Sequence, residues 1–191
     1  MLRGFSSLLL DLDVTLDPES APCLLILSDD GKQVTFGDER QNRPDTPERF
    51  DRCPCVLGKE GFSSGRFYYE VRGKTDWTLG VTTESSNRKG EITLSPEDGY
   101  WIVVLRNETE YTAADLAYVH LSLKQAPQKV GVFVDYEEGL VSFYDVEARS
   151  HIYSFTGQSF TEKLYPYFSP SDNVGDNNSA PLIITPVKHQ N

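Results

Sequence analysis

The sequence is poor in the residue types that mark several large classes of protein. Its 191 residues include three cysteines, three histidines and one methionine, and 29 acidic residues outnumber 18 basic ones. No apolar run approaches the roughly 20 residues that a membrane-spanning helix requires. The first residues form only a brief apolar run without a small-residue cleavage site, so we expect neither a secretion signal nor a membrane anchor.

The three cysteines have no spacing that is typical of a disulfide framework or a metal site. Cys53 and Cys55 are two residues apart, and Cys23 lies far from both. A structural zinc site usually takes four ligands from paired knuckles, and no histidine is near in this sequence. We therefore expect reduced thiols, no cofactor and a cytoplasmic location.

The acidic balance argues against nucleic acid and membranes as partners. The formal net charge is −11, whereas a phosphate backbone is held by clustered lysine and arginine side chains. The length and the hydrophobic fraction of 38% suit one domain with a packed core. Such a core needs no metal or disulfide for its stability.

Short apolar segments, bounded by Gly, Pro, Asn, Asp and Ser, predict an all-β protein. The clearest is a hairpin at 130–146, in which Gly139 can take the positive φ of the turn. Trp77 and Trp101 lie in strand patterns and are predicted to be core residues. Segments 83–99, 106–128 and 169–180 have poor strand patterns, and 112–118 is a candidate helical turn. The predicted strands are 23–27, 33–36, 55–57, 66–71, 77–82, 100–105, 129–135, 140–145, 151–155, 164–168 and 182–185.

Motif matches that suggest an enzyme lack the context that the chemistry requires. The Gly-Phe-Ser-Ser-Gly run at 61–65 matches a nucleophile elbow, but a predicted strand follows it instead of a helix. The Gly-Lys-Thr triplet at 73–75 lacks the upstream glycine of a phosphate-binding loop. The oxygen-rich run at 172–178 lacks the twelfth-position acid of a calcium loop. An enzyme on this chain would depend on Ser63 or His151, and we expect none.

Three groups of residues follow one another along the chain in an order that indicates a family. They lie at 16–28, 62–81 and 134–144, and they contain Leu-Asp-Pro-Glu, Phe-Tyr-Tyr-Glu-Val and Val-Asp-Tyr-Glu respectively. Over residues 14–187 the chain resembles a PRY-SPRY domain. It is most similar to the C-terminal domain of the tripartite-motif (TRIM) E3 ubiquitin ligases of fishes. Tyr69 stands where this family has a tryptophan.

The resemblance implies a bent two-sheet antiparallel β-sandwich of the SPRY type, which is a concanavalin-like jelly roll. It divides the chain into a remnant of an upstream linker (1–13), a PRY part (about 14–62), a SPRY part (about 63–187) and a tail (188–191). It also implies a protein-interaction module, without catalysis of its own, that is monomeric in isolation. The expected role is recognition of a host or viral target protein for a TRIM-type ligase in innate immunity. A butyrophilin-like sensor of phosphorylated small ligands is the alternative.

The resemblance further implies that the partner is contacted by the loop after the Trp77 strand, by the strand after Gly99 and by the late Ser-Pro loop at 169–178. The expected contact face comprises 82–89, 106–118, 147–151 and 169–178, with arginine and tyrosine favoured as anchors. Arg88, Arg106 and Tyr111 are the predicted anchors. The full set of predicted contact residues is Thr78, Thr83, Arg88, Val104, Arg106, Asn107, Tyr111, Asp172, Asn173 and Asp176.

Overall fold

The computed structural model describes residues 9–73, 75–170 and 180–187. These residues form β-strands, a short 3-10 helix at Pro96–Asp98 and no α-helix. The strands are β1 (Leu9–Asp11), β2 (Leu25–Leu27), β3 (Gln33–Phe36), β4 (Val56–Leu57), β5 (Arg66–Arg72), β6 (Trp77–Thr83), β7 (Tyr100–Arg106), β8 (Glu110–Ala114), β9 (Tyr118–Leu121), β10 (Lys129–Asp135), β11 (Leu140–Asp145), β12 (Ser150–Phe155), β13 (Leu164–Ser169) and β14 (Leu182–Thr185).

The strands form two sheets. The larger has eight strands in the order β12-β11-β10-β5-β14-β3-β2, with β1 also paired to β5. The smaller has six strands in the order β4-β13-β6-β7-β8-β9. All of these pairs are antiparallel except β1 with β5, which is parallel. The prediction of an all-β, two-sheet sandwich is confirmed.

The inner faces of the two sheets enclose the main hydrophobic core. Successive side chains of a strand point to opposite faces of its sheet. Trp77, Leu79 and Val81 of β6 therefore meet Val132 and other residues of the larger sheet. Trp77 and Trp101 are both buried, as predicted from their strand patterns.

A second apolar cluster covers part of the outer face of the six-stranded sheet. Phe50 and Cys55, from the segment that precedes β4, pack on Tyr100, Ile102 and Tyr167. The Phe50 and Tyr167 rings meet edge to face with their centroids 6.5 Å apart. Residues 49–55, which we call the covering segment, bury the outer face of the Tyr100 end of β7, and the main core buries its inner face.

Arg49 fixes the covering segment through backbone carbonyl groups. Its guanidinium is buried and donates hydrogen bonds to the carbonyl oxygens of Pro44 (2.7 Å), Pro18 (2.9 Å) and Ala21 (2.6 Å). Hydrogen bonds from a charged donor are stronger than those between neutral groups. One side chain therefore joins three stretches of irregular backbone.

The β10 and β11 strands pair without a shift in register, and both have the predicted ends. Gly139 closes its turn with a φ of 65°. The Gly139 carbonyl accepts a hydrogen bond from the Gln158 amide at 2.9 Å. A Cβ atom at Gly139 would lie 1.9 Å from the Gln158 carbonyl oxygen. This turn therefore requires glycine both for its conformation and for its contact with a neighbouring loop.

Two sequence-based expectations differ from the structure. Residues 112–118 form no helical turn, because they contain the end of β8, a hairpin turn and the start of β9. Leu9–Asp11, which we expected to be linker, pairs with β5 as β1. Leu9 and Leu10 are 49% and 53% exposed, so backbone pairing rather than side-chain burial places this strand.

The cysteines are thiols, and Cys55 is buried beside Tyr167. Burial raises the pKa of the Cys55 thiol well above its usual value. Among the described residues, no helix has the length and apolar character needed to cross a membrane.

Candidate functional site

The register of the six-stranded sheet places five outward-facing residues in one row. Each is directly paired with the next across adjacent strands, from β13 through β6, β7 and β8 to β9. Five strands at a spacing of about 4.8 Å span about 19 Å. We call this set the outer row, and it consists of Ser169, Thr78, Val104, Thr112 and His120.

Four of the predicted contact residues lie in or beside the outer row. Thr78 and Val104 are directly paired within it. Arg106 lies two residues beyond Val104, so it shares the outward face. The Arg106 side chain is exposed, and its Nη1 donates to the Leu105 carbonyl oxygen at 3.1 Å. Sheet pairing thus brings together residues that are distant in sequence.

Asn107 lies beside the outer row, in the turn that connects β7 to β8. Asn107 and Glu108 have φ values of 53° and 61°, a region that most side chains avoid. The Asn107 Nδ2 group donates to Glu110 Oε2 at 3.1 Å. The Glu108 amide donates to Asp76 Oδ1 at 3.0 Å. These hydrogen bonds hold the turn in position and keep Asn107 at the surface.

Burial decreases along the outer row from β6 to β9. Thr78 is only 1% exposed, Val104 and Thr112 are half-buried, and His120 is exposed. At the opposite end, Ser169 Oγ donates to the Pro54 carbonyl oxygen at 2.7 Å. A partner can reach the Val104–His120 end of the row. The prediction of Thr78 as a direct side-chain contact is corrected, because the residue is buried in the sheet.

Tyr111 faces the core and not the surface. It precedes Thr112 on β8, so alternation directs it to the inner face of the sheet. It is 6% exposed, and its ring centroid lies 6.3 Å from that of Trp77. Burial raises the pKa of its hydroxyl, which has no hydrogen-bond partner among the described residues. The prediction of Tyr111 as an exposed anchor is therefore wrong.

Thr83 and Arg88 lie away from the outer row. Thr83 ends β6, and the five residue steps from Thr78 to Thr83 correspond to about 17 Å along the strand. Arg88 Nη1 donates to the Glu48 carbonyl oxygen at 2.7 Å, and its guanidinium lies 5.6 Å from the centroid of the Phe50 ring. The structure thus places Arg88 against the covering segment. Asp172, Asn173 and Asp176 lie outside the described residues.

Sequence analysis did not single out Thr112 and His120, the two outer-row residues on β8 and β9. Thr112 lies within the expected contact segment 106–118, whereas His120 lies outside every expected segment. The turn before β8 contains Asn107 and Glu108 at positive φ where a glycine would have been the usual signal. The weak strand formers Ala113 and Ala114 further obscured the pattern. The alternation of outward Thr112 with inward Tyr111 and Ala113 was the one available indication that this segment is a strand.

A cavity of about 560 Å³ is lined by the 84–89 loop and residues 57–59, together with Asp17, Pro47, Glu48 and Tyr165. Lys59, Arg88 and Lys89 contribute to its walls. The Lys89 ammonium group is already bound by Asp45 Oδ1 (2.7 Å) and by the carbonyl oxygens of Thr46 (2.6 Å) and Arg49 (2.7 Å). Arg88 is held by the Glu48 carbonyl oxygen and the Phe50 ring. Of the three cations that line the cavity, only Lys59 has a side chain without such a contact among the described residues.

Comparison with known protein families agrees with the fold. The family model described as the SPRY domain matches residues 66–181, and the model described as the SPRY-associated domain (PRY) matches residues 14–62. The chain belongs to the PRY-SPRY family. PRY-SPRY is a binding domain and not a catalytic one, and SPRY domains bind protein targets.

Several curated relatives contain a segment similar to this PRY-SPRY chain. Human pyrin is 49% identical over 181 residues, which cover 94% of this chain and 23% of pyrin. Nuclear factor 7 (brain) of Xenopus laevis is 48% identical over 169 residues, 87% of this chain and 28% of that protein. The human E3 ubiquitin-protein ligase TRIM68 is 47% identical over 175 residues, 90% of this chain and 36% of the ligase. The chain therefore spans only about a quarter to a third of these relatives.

Two solved structures share the fold. A stonustoxin structure superposes with a TM-score of 0.81 at 26% identity, over 92% of this chain and 29% of the toxin chain. The TRIM65 PSpry domain superposes with a TM-score of 0.76 at 24% identity, over 94% of this chain and 91% of that domain. The second likeness concerns the fold alone.

Proposed function

We propose that this PRY-SPRY domain recognises a target protein through the exposed end of the outer row, for a TRIM-type ubiquitin ligase in innate immunity. The observation that carries the proposal is the register that places Val104, Thr112 and His120 side by side, with Arg106 on the same face. The covering segment buries the other end of this face. The exposed end therefore offers a mixed polar and apolar surface on rigid strands.

Arg106 is the residue on which we expect binding to depend most. Arginine is enriched among the few interface residues that dominate affinity. Val104 supplies a half-buried apolar contact, and Thr112 and His120 supply polar ones. The similarity to TRIM68, an E3 ubiquitin-protein ligase, supports the ligase context. The thiol state of the cysteines supports a cytoplasmic location.

The test compares two arginine-to-alanine variants by proximity labelling in cells, each fused to a biotin ligase. Arg106→Ala should abolish labelling of the target, while its melting temperature stays equal to that of the parent. Arg40→Ala is the matched control, because Arg40 is also exposed but lies on the loop after β3. If Arg106→Ala melts several degrees lower, or if both variants lose the same proteins, the outer row is not the binding site.

The ligase context can be tested with a chimera. The domain would replace the similar 175-residue segment of TRIM68. The chimera should transfer ubiquitin to the protein that the domain captures, and the Arg106→Ala chimera should not. Capture without ubiquitin transfer would contradict the ligase role and leave the binding role intact.

The alternative, a sensor of phosphorylated small ligands, has weaker support. Such a ligand would have to bind in the cavity that contains Lys59, Arg88 and Lys89, but Asp17, Glu48 and Glu84 also line that cavity and offset its positive charge. Lys89 is held by three oxygen atoms and Arg88 by a carbonyl group and a ring. Binding of a phosphate would have to break these contacts. A rise in melting temperature with millimolar pyrophosphate, abolished by Lys59→Gln, would favour this alternative.

A further inference from the structure

The strand β9, at one edge of the six-stranded sheet, has backbone groups without a partner. It pairs with β8 in an unshifted antiparallel register, and on that side only. Among the described residues, no backbone hydrogen bond joins Tyr118–Leu121 to any segment other than β8. Alternate residues of an antiparallel strand direct their N–H and C=O groups to the same side. Two of the four residues of β9 therefore direct these groups away from β8.

The other three strands that end the two sheets are covered or irregular. Arg43 Nη1 donates to the Leu25 carbonyl oxygen of β2 at 2.8 Å. In β4, the Leu57 amide donates to Ser20 Oγ at 3.0 Å, and the Leu57 carbonyl oxygen accepts from the Asp17 amide at 2.8 Å. The β12 strand pairs with β11 through a shift in register. Covering segments, bulges, lysine and proline protect sheet edges from further pairing. The β9 strand contains no bulge, lysine or proline.

The main core and the larger sheet hold β9 in place. Val119 and Leu121 point inward and pack against the core. The turn that connects β8 to β9 is bound to the larger sheet, because the Tyr153 hydroxyl of β12 donates to Asp115 Oδ2. A strand that is already ordered loses little conformational freedom when another strand pairs with it. The unpaired edge of β9 is therefore a preorganised template.

The outward face of β9 carries an exposed aromatic side chain. Tyr118 is 69% exposed and Leu116, in the preceding turn, is 77% exposed. These are the two most exposed large apolar side chains of the described residues. Alternation places Tyr118 on the same face as His120. A strand beside β9 would therefore extend the outer row by one position beyond His120 and would contact the Tyr118 ring, and aromatic side chains stabilise such cross-strand contacts.

We propose that β9 pairs with an extended segment of the partner protein, which adds a strand to the six-stranded sheet and packs an apolar side chain on Tyr118. This inference rests on the proposed function, because it specifies how the partner of the outer row is held. In strand addition, main-chain hydrogen bonds supply affinity and alternate side chains supply specificity. A second copy of this chain suits the edge less well, since each copy carries a net charge of −11 and the two copies would repel each other.

The test is an NMR titration of the 15N-labelled domain with the extended peptide acetyl-Lys-Thr-Val-Thr-Val-Thr-Lys-amide. We expect saturable shifts of the amide resonances of Tyr118–Leu121, and slower hydrogen exchange at the β9 amides that point away from β8. A control peptide with N-methyl groups on its five central residues keeps the charge and the side chains but cannot donate those amide hydrogens. It should bind at least tenfold more weakly. Equal binding of both peptides, or no saturable shift, would overturn the proposal.

Variants locate the binding site and identify its occupant. Tyr118→Ala should weaken the unmethylated peptide at least fivefold. The matched control Tyr144→Ala removes an exposed tyrosine from β11 of the larger sheet and should change affinity less than twofold. An equal loss in both variants would contradict the assignment to β9. Analytical ultracentrifugation of the domain should show a monomer, and a dimer that Tyr118→Ala abolishes would assign the edge to a second copy and overturn the proposal.

The same peptide titration separates this inference from the proposed function. Arg106→Ala should bind the peptide within twofold of the parent, because β8 lies between β7, which contains Arg106, and β9. If the peptide fails to bind while target labelling still depends on Arg106, only the pairing of β9 is refuted. If the peptide binds at β9 while target labelling ignores Arg106, only the outer row is refuted.

Discussion

Replacement of Gly139 by alanine should destabilise the domain far more than the same replacement at Gly157. The two glycines have nearly equal φ values, 65° and 67°. A Cβ atom at Gly157 would have no heavy atom within 4 Å. At Gly139 it would lie 1.9 Å from the carbonyl oxygen and 2.9 Å from the amide nitrogen of Gln158. The pair thus separates the cost of a left-handed conformation from the cost of a steric clash with backbone.

The expected magnitudes follow from these two costs. A left-handed conformation costs a residue with a side chain about 1–2 kcal/mol, and the reduced freedom of the unfolded chain offsets part of this. Gly157→Ala should therefore lower the free energy of unfolding by about 1 kcal/mol. Gly139→Ala adds overpacking of about 1–3 kcal/mol and weakens the Gln158–Gly139 hydrogen bond by about 1 kcal/mol, for a total of about 3–5 kcal/mol.

Urea denaturation followed by tryptophan fluorescence measures both variants, since Trp77 and Trp101 are buried. Asparagine tolerates the left-handed region better than most residues. Gly157→Asn should therefore be nearly neutral, whereas Gly139→Asn should still lose about 2 kcal/mol or more to the clash. Losses at Gly139 and Gly157 that agree within 1 kcal/mol would refute the argument that the hairpin turn packs on the Gln158 backbone.

Three further predictions concern other single residues. Tyr111→Phe should keep or raise the free energy of unfolding, by up to about 1 kcal/mol, because it removes a buried hydroxyl without a described partner; target labelling should not change, and its loss would restore Tyr111 as an anchor. Glu108→Gly should raise the denaturation midpoint by relieving its φ of 61°, a gain of up to about 1 kcal/mol, and a lower midpoint would contradict this. Burial raises the pKa of Tyr100 from 10.0 to about 12. Because the pKa of Tyr100 is higher in the folded state than in the unfolded state, its contribution to the free energy of unfolding is complete below pH 10 and is lost as the pH rises through 12. The free energy of unfolding, measured by denaturation between pH 9 and 11.5, should therefore fall less steeply for Tyr100→Phe.

The central strands could be predicted because their residues indicate both the β-strand conformation and the positions at which each strand begins and ends. Segments 129–135 and 140–145 are rich in β-branched and aromatic residues, and a turn glycine separates them, so local preference and hydrophobic pattern agree. The strands β8 and β9 gave no such agreement, because their preceding turn uses Asn107 and Glu108 at positive φ. A local pattern fails where tertiary contacts, such as the bond from Glu108 to Asp76, hold an unfavourable conformation.

The candidate site was also predicted only in part, because a local sequence pattern does not specify tertiary contacts. Family resemblance indicated Val104 and Arg106, and the register confirms that they share a face with Thr78. Resemblance could not indicate that Thr78 is buried or that Tyr111 faces Trp77. Which face a residue occupies depends on the exact start of its strand, and a shift of one residue reverses it.

The class of structure follows from the sequence alone, because period-two patterns of apolar residues predict strands that bury one face in a packed sheet. The hairpin turn at Gly139 is likewise predictable, since it depends on neighbouring residues. Which strands lie next to one another depends on the packing of the whole chain, and so does the row that ends in His120 on β9 and Ser169 on β13. The same holds for the contact between Ser85 and Glu162, which are 77 residues apart. These features depend on contacts between distant segments, and such contacts form only when the whole chain packs.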